Sequence, residues 1–277
     1  MTSQELFSSI RANLQQFHES VTMPGGYEFN HLNTLKFVDL YYNGKFESGE
    51  YDSQGLKKYF FNIMKPSCDI ATKFIDLDTK DLLMLSERAG DEYRVWVMQR
   101  DLKAWLKETQ FGVLLNEIGF DFPKYGSVVI KKNKDGEWKK VLLQNLRMDP
   151  SVQSLEDSSF VKEIHVMTRR ELRDMKWDKK AVDELLDRYP KEVYFKVYEC
   201  YLYNMEEGKK WLRYFTADFL RSQDGKHSKS IPESDASSEY DFVPGIILYE
   251  DEMDELPYRE LHWEPVPGRW LGYGFPE

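Results

Sequence analysis

The sequence predicts an α+β fold in which a helix-rich N-terminal part packs on a mixed or antiparallel β region. Three observations predict it. Apolar residues recur at helical spacing up to about residue 118, the hydrophobic period changes to two from Gly126, and a β-like pattern fills about residues 191–277. The chain has 277 residues, 41% of them hydrophobic and 15% aromatic, which is enough for one large domain or two modest ones.

The first predicted domain, residues 1–55, consists of N-terminal helices. An amphipathic helix is expected within Met1–Ser20, before the turn at Pro24-Gly25-Gly26. A second helix is expected to begin at Asn33 and to end where Asn43-Gly44 breaks the pattern.

The second predicted domain, residues 56–277, begins with a helix from Leu56 to about Phe74. Pro66 lies inside this helix and lacks a backbone donor, so we expect a kink near Met64. A strand is expected over Asp81–Glu87.

The longest predicted helix covers about residues 91–118. An apolar stripe that includes Met98, Trp105 and Leu106 runs along it, which is typical of a core helix. Gly119 is the expected C-terminal stop.

A β-hairpin over about residues 126–145 is the strongest local prediction, because Asp135-Gly136 supplies the positive backbone torsions that a tight turn needs. A further strand is expected over Phe160–Met167. Thr168, with Glu171 three residues later, has the spacing of a helix capping box.

The β-rich part, about residues 191–277, contains three strand-like stretches with period-two character. A loop rich in Ser, Asp, Lys and Gly separates the last two stretches. The stretches are Val193–Tyr203, Trp211–Thr216 and Gly245–Tyr249.

The charge balance is acidic, with 38 Lys and Arg against 48 Asp and Glu, a net charge of -10. Tight wrapping of nucleic acid is excluded, because it needs a concentrated Lys and Arg surface. Much of the acidity lies in residues 241–277, where a solvated loop is the usual explanation. No apolar run reaches the length of a membrane span or a signal peptide, and Cys68 and Cys200 form no C-x-x-C pair, so we expect a protein of a reducing cytoplasm.

Motifs of catalysis are absent from the sequence: there is no phosphate-binding loop and no nucleophile elbow, and the five histidines are scattered singly. The best enzymatic candidate is Asp76-Leu77-Asp78, whose two carboxylates can hold a divalent cation. A turn in which Asp side chains bond their own backbone explains the pair equally well. We therefore expect no enzyme, no catalytic residue, no metal site and no cofactor.

Several ordered segments from about Leu56 onward resemble phage portal proteins, the head-to-tail connectors of tailed bacteriophages. The closing segment Leu256–Gly274 carries the strongest likeness, with Pro257, Trp263, Pro265, Gly268, Arg269, Trp270 and Gly272 as its family-like residues. The other matching segments are Tyr59–Pro66 with Cys68–Lys73, Asn116–Gly119 with Tyr125–Val129, Asp149 with Asp157–Val161, and Met167–Leu172. The prolines are expected to stiffen the closing segment, so that Trp263 and Trp270 can pack against it.

The resemblance implies that residues 56–277 form a wing-like domain and that the stem and clip of a portal protein are missing from this chain. It implies a structural subunit of a homo-oligomeric ring of about twelve copies at one capsid vertex of the virion, assembled in the host bacterial cytoplasm. DNA is packaged and ejected through such a ring. The implied partners of the full-length protein are capsid protein, the packaging motor, a tail adaptor and transient, non-specific double-stranded DNA, with no membrane.

A ring needs contacts between different faces of neighbouring subunits. One candidate pair is the acidic stretch 250–255 and the hairpin lysines Lys131, Lys132, Lys134, Lys139 and Lys140, although two unrelated solvated surfaces explain these charges more simply. Two alternative functions remain open: a metal-dependent phage nuclease that uses Asp76 and Asp78, and a host-directed binding module suggested by the many Tyr and Trp residues.

Overall fold

The computed structural model describes Ala12 and residues 20–23, 26–75, 79, 82–133, 136–204, 210–218 and 246–276. The protein has an α+β fold, as the sequence predicts. The chain divides into two compact units. Unit 1 comprises residues 1–31, 144–256 and 268–270, and unit 2 comprises residues 32–143, 257–267 and 271–277. This division differs from the predicted one at residue 55, because C-terminal residues return to pair with a strand of unit 2.

In its described residues, unit 2 contains four helices and a three-stranded antiparallel sheet with strand order β10-β3-β4. The helices are α1 (His31–Tyr42, whose first residue belongs to unit 1), α2 (Met64–Phe74), α3 (Glu92–Glu108) and α4 (Phe111–Tyr125). The strands are β3 (Ser127–Lys132), β4 (Trp138–Val141) and β10 (Tyr258–His262).

Unit 1 is built on a five-stranded antiparallel sheet in the order β5-β6-β7-β8-β9, with two helices between β6 and β7. A short pair, β1 (Val21–Thr22) and β2 (Glu28–Phe29), also belongs to it. The remaining elements are β5 (Leu146–Met148), β6 (Phe160–Thr168), α5 (Arg169–Asp174), α6 (Lys179–Arg188), β7 (Tyr194–Asn204), β8 (Lys210–Asp218) and β9 (Ile246–Met253).

The core of unit 1 lies between α5, α6 and one face of this sheet. Leu172 and Leu185 from the helices are buried against Phe195, Val197 and other apolar strand residues. The three predicted C-terminal strands are confirmed as β7, β8 and β9. β9 extends beyond the predicted stretch Gly245–Tyr249, because Glu250 to Met253 also pair with β8.

The predicted hairpin is confirmed by β3 and β4, in which Lys132 pairs with Trp138. Gly136 has a φ of 83°, the left-handed conformation that favours glycine, and the Asn133 N–H donates to Glu137 O at 2.8 Å. The predicted capping box is also confirmed. The Thr168 side chain accepts the N–H of Glu171, and the Glu171 carboxylate accepts the N–H of Thr168 at 2.7 Å.

The single helix predicted over residues 91–118 is wrong, because the chain forms the two helices α3 and α4. The break lies at Gln110, whose φ of 52° interrupts the helical hydrogen bonds. Gly119 lies inside α4, and the helix ends instead at Gly126, which takes the left-handed cap conformation with φ 73°. α4 is the core helix, with Leu114 and Ile118 buried.

Two other local predictions in unit 2 are also wrong. The helix expected from Leu56 begins at Met64, which places Pro66 in its first turn, where a missing N–H leaves no helical bond unmade. Residues 82–86 form no strand. The Gln99 side chain of α3 satisfies their backbone instead, accepting the Met84 N–H at 2.5 Å and donating to Leu82 O at 2.9 Å.

The second predicted helix is confirmed as α1, which is tied to α4 by a polar contact. Asp39 on α1 accepts hydrogen bonds from Lys124 Nζ at 2.6 Å and Tyr125 OH at 2.7 Å. The predicted helix in residues 1–20 and the loop between β8 and β9 lie outside the described residues, apart from Ala12 and Ser20. Within the part of the chain that is described, no helix combines the length and apolarity that a bilayer crossing requires.

Candidate interaction surface and polar cluster

The portal-like segment Leu256–Gly274 is anchored in unit 2 through its backbone. β10 pairs with β3 over its own full length, from Tyr258 opposite Lys131 to His262 opposite Ser127. Beyond β10, the Trp263 N–H donates to Gly126 O at 2.8 Å. The segment therefore completes the sheet of unit 2.

Three glycines allow two stretches of backbone to touch in unit 2. A Cβ added to Gly126 would lie 2.3 Å from the carbonyl carbon of Tyr273, and one added to Gly272 would lie 2.6 Å from Gly126 O. A Cβ added to Gly274 would lie 2.5 Å from Lys124 O. These positions need glycine for space, and Gly126 also needs it for its positive φ.

Most of the predicted family-like residues make backbone hydrogen bonds, turns or packing contacts. Pro257 O accepts the Lys132 N–H at 2.9 Å. The Gly272 N–H donates to the Ser127 hydroxyl oxygen at 2.9 Å, and the same oxygen lies 2.8 Å from His262 Nδ1. Pro265 is exposed and Gly268 has a φ of 87°.

The aromatic and charged members of the motif pack on rings. Trp263 lies edge-on to the Phe122 ring, with ring centres 5.4 Å apart. In unit 1, Arg269 is buried with its guanidinium 4.6 Å from the centre of the Phe29 ring, and Trp270 is buried. The motif thus supplies packing and turns.

A surface rich in exposed apolar side chains distinguishes unit 2. Tyr59 is 91% exposed, and both Tyr93 and Trp96 on α3 lie in water, with Trp96 58% exposed. Of the α3 residues, only Leu106 is buried, although the stripe predicts a core helix. We call the following set the apolar segment: Leu56, Tyr59, Phe61, Ile63, Ile70, Phe74, Leu83, Leu85, Tyr93, Trp96, Met98 and Trp105.

The hairpin lysines have partners within unit 2. Lys131 is buried with its Nζ 5.2 Å from the centre of the Tyr258 ring. Lys140 forms a 2.6 Å ion pair with Asp121. Lys134 lies outside the described residues. These contacts weaken the expected pairing between this hairpin and the acidic stretch 250–255.

The acidic stretch forms part of β9, which pairs with β8 at the end of the five-stranded sheet. Charged side chains on such a strand discourage pairing with another strand. Burial raises the pKa of the Tyr214 hydroxyl, and the nearby Glu250 and Glu252 raise it further. Part of this acidity therefore acts within the fold.

A buried polar cluster lies on the five-stranded sheet. Glu163 on β6 is directly opposite Glu199 on β7, and His165 Nε2 lies 2.9 Å from Glu199 Oε2 and 3.8 Å from Glu163 Oε2. The other Glu199 oxygen accepts hydrogen bonds from Arg213 Nε at 2.9 Å and Tyr201 OH at 2.5 Å. The Glu199 side chain is 2% exposed. Burial and the Glu199 charge raise the pKa of Tyr201, so its hydroxyl stays a donor.

Sequence reasoning missed this cluster, because it treated each histidine as isolated. The spacing Glu163-Ile164-His165 within a predicted strand was a usable signal, since residues two apart share a face. Glu199 could not be added without the strand register. The predicted cation pair Asp76 and Asp78 lies outside the described residues.

Comparison with known proteins adds no family to this geometry. No protein-family model matches the sequence, and no curated protein matches it.

Proposed function

We propose that this chain is a structural subunit of a bacteriophage portal ring, through which DNA enters and leaves the capsid. The observation that carries the proposal is the apolar segment, which coincides with the region where the resemblance to portal proteins begins. Exposed Tyr and Trp side chains of this number are typical of a surface that another protein covers.

In this proposal, a second copy of the chain covers the apolar segment. Burial of a large apolar side chain stabilises an assembly by about 1.5–3 kcal/mol relative to leaving it in water. Tyr93 and Trp96 stack on each other with ring centres 6.1 Å apart, so the two rings present a preformed contact. In a closed ring, one face of each subunit covers a different face of the next.

The charge of the chain suits a DNA conduit. With a net charge of -10, the protein repels phosphate overall, and DNA can move past it without tight binding. In this proposal the ring lies at a capsid vertex, and the full-length protein contacts capsid protein, packaging motor and tail adaptor.

A substitution in α3 tests the proposal. We expect native mass spectrometry of the wild-type chain to show one large closed oligomer, and Trp96→Glu to convert it to monomers, because a carboxylate would be buried in the contact. Val193→Glu is the matched control, since Val193 of unit 1 is also 58% exposed but lies outside the apolar segment. It should leave the oligomer intact.

Monomeric or dimeric wild-type protein at all concentrations would contradict the ring and favour a host-directed binding module. A large oligomer that persists in Trp96→Glu, with unchanged circular dichroism, would contradict the role of α3. DNA cleavage with magnesium or manganese that Asp76→Ala abolishes would replace the proposal with a nuclease.

A further inference from the structure

We propose that Glu163, His165 and Glu199 form a binding site for a single zinc ion on the five-stranded sheet of unit 1. The site is independent of the portal proposal, because it lies in a different unit from the apolar segment. It is a cross-strand site that ties β6 to β7 and leaves one coordination position open to water.

The strand register brings the three donors together. Glu163 and His165 are two residues apart on β6 and share a face, and Glu199 is the direct partner of Glu163 on β7. Their ligand atoms all lie within 4.8 Å of one another. A tetrahedral zinc ion with bonds of about 2.0 Å has ligands about 3.3 Å apart. The two His165–carboxylate distances, 2.9 and 3.8 Å, lie on either side of that value.

The surroundings of Glu199 are those of an oriented metal ligand. Arg213 and Tyr201 both donate to Oε1, which leaves Oε2 directed at His165. Arg213 is itself held over the Phe215 ring, 4.7 Å from its centre. Ligating carboxylates and imidazoles usually have such outer partners, which fix their direction.

The donor set selects the ion. Two carboxylates and one imidazole are a donor set that suits a divalent cation. An imidazole nitrogen favours zinc over magnesium or calcium, which prefer oxygen ligands alone. The His165 side chain is one-third exposed, which gives the ion a path to the otherwise buried Glu199.

Calorimetric titration of the metal-free wild-type chain with zinc chloride tests the site. We expect one zinc ion per chain, with affinity at least about 10-fold weaker in Glu163→Gln and in His165→Ala. Tyr201→Phe, which removes only an outer hydrogen bond, should weaken zinc binding by about 10-fold. Glu260→Gln is the matched control and should bind as wild type, because Glu260-Leu261-His262 repeats the same spacing opposite Val129 and Ser127, which bring no second carboxylate.

Absence of saturable zinc binding by the wild-type chain would overturn the proposal, as would equal binding by folded His165→Ala. X-ray absorption of the zinc-loaded wild-type protein gives a readout that needs no variant. Nitrogen and oxygen ligands at about 2.0 Å are expected, whereas sulfur at about 2.3 Å would overturn the site. A wild-type chain that binds zinc but forms no ring would reject only the portal proposal.

Discussion

Two strands of this protein carry the same Glu-x-His spacing but stand in different surroundings. In β6, Glu163 faces Glu199 across the sheet, whereas in β10, Glu260 faces Val129. The histidine Nε2 lies 3.8 Å from the carboxylate oxygen of its own strand in both cases. The neighbouring strand, and not the spacing, therefore decides whether a three-donor cluster forms.

The two strands are also held by different forces. β6 depends on a buried charge network, in which Glu199 accepts from Arg213 and Tyr201. The segment that follows β10 depends on close backbone approach, which the glycines at 126 and 272 permit. We expect substitutions to separate these two modes of stabilisation.

The largest effect is expected from Glu199→Ala, which removes the acceptor of a buried guanidinium. The Arg213 side chain is only 13% exposed, so loss of its Glu199 partner should lower the free energy of unfolding by about 3–5 kcal/mol. Urea unfolding measures the loss. A free energy of unfolding within about 1 kcal/mol of the wild-type value would show that the network contributes little to β6.

A somewhat smaller effect is expected from Gly126→Ala, which would push a methyl group against the Tyr273 backbone and strain a positive φ. We expect a loss of about 3 kcal/mol in urea unfolding. Gly136→Ala is the control: its φ is also positive, but nothing lies within 4 Å of the added Cβ, so the loss should be near 1 kcal/mol. Equal losses in the two variants would mean that the positive φ alone matters and that the close approach of the Tyr273 backbone does not.

The smallest effect concerns the end of β6, where Thr168 caps α5. Hydrogen bonds from the Thr168 N–H and hydroxyl lower the pKa of Glu171 below its ordinary 4.5. A carboxyl with a lowered folded pKa stabilises the protein above pH 4.5 and loses that contribution as the pH falls through the folded pKa. The stability difference between wild type and Glu171→Gln should therefore shrink on moving from neutral pH to about pH 3.

Urea unfolding at both pH values checks this dependence. A difference that stays constant with pH would show that the Glu171 charge does not contribute and that the cap acts through its hydrogen bonds alone.

Local sequence signals predicted local structure well. The turn glycine Gly136 and the capping pair of Thr168 and Glu171 were sufficient, because a turn or a cap is satisfied by residues a few positions apart. The break at Gln110 was missed, since this residue is neither glycine nor proline and the apolar stripe continues across it.

Function-related features depended more on distant contacts. The apolar stripe on α3 predicts burial, but a stripe has the same pattern whether its own chain or another copy covers it. The prolines of Leu256–Gly274 predicted a stiff segment, but the need for glycine at position 126 follows only from the Tyr273 backbone that lies against it.

The sequence by itself determined the α+β class, the hairpin, the capping box and the acidic charge, because each depends on composition or on neighbours along the chain. Only the tertiary structure decided that β10 joins β3, that α3 leaves Trp96 in water, and that Glu199 meets His165. Strand order and register join residues that are tens of positions apart, and a one-residue change of register would turn every side chain of a strand to the other face.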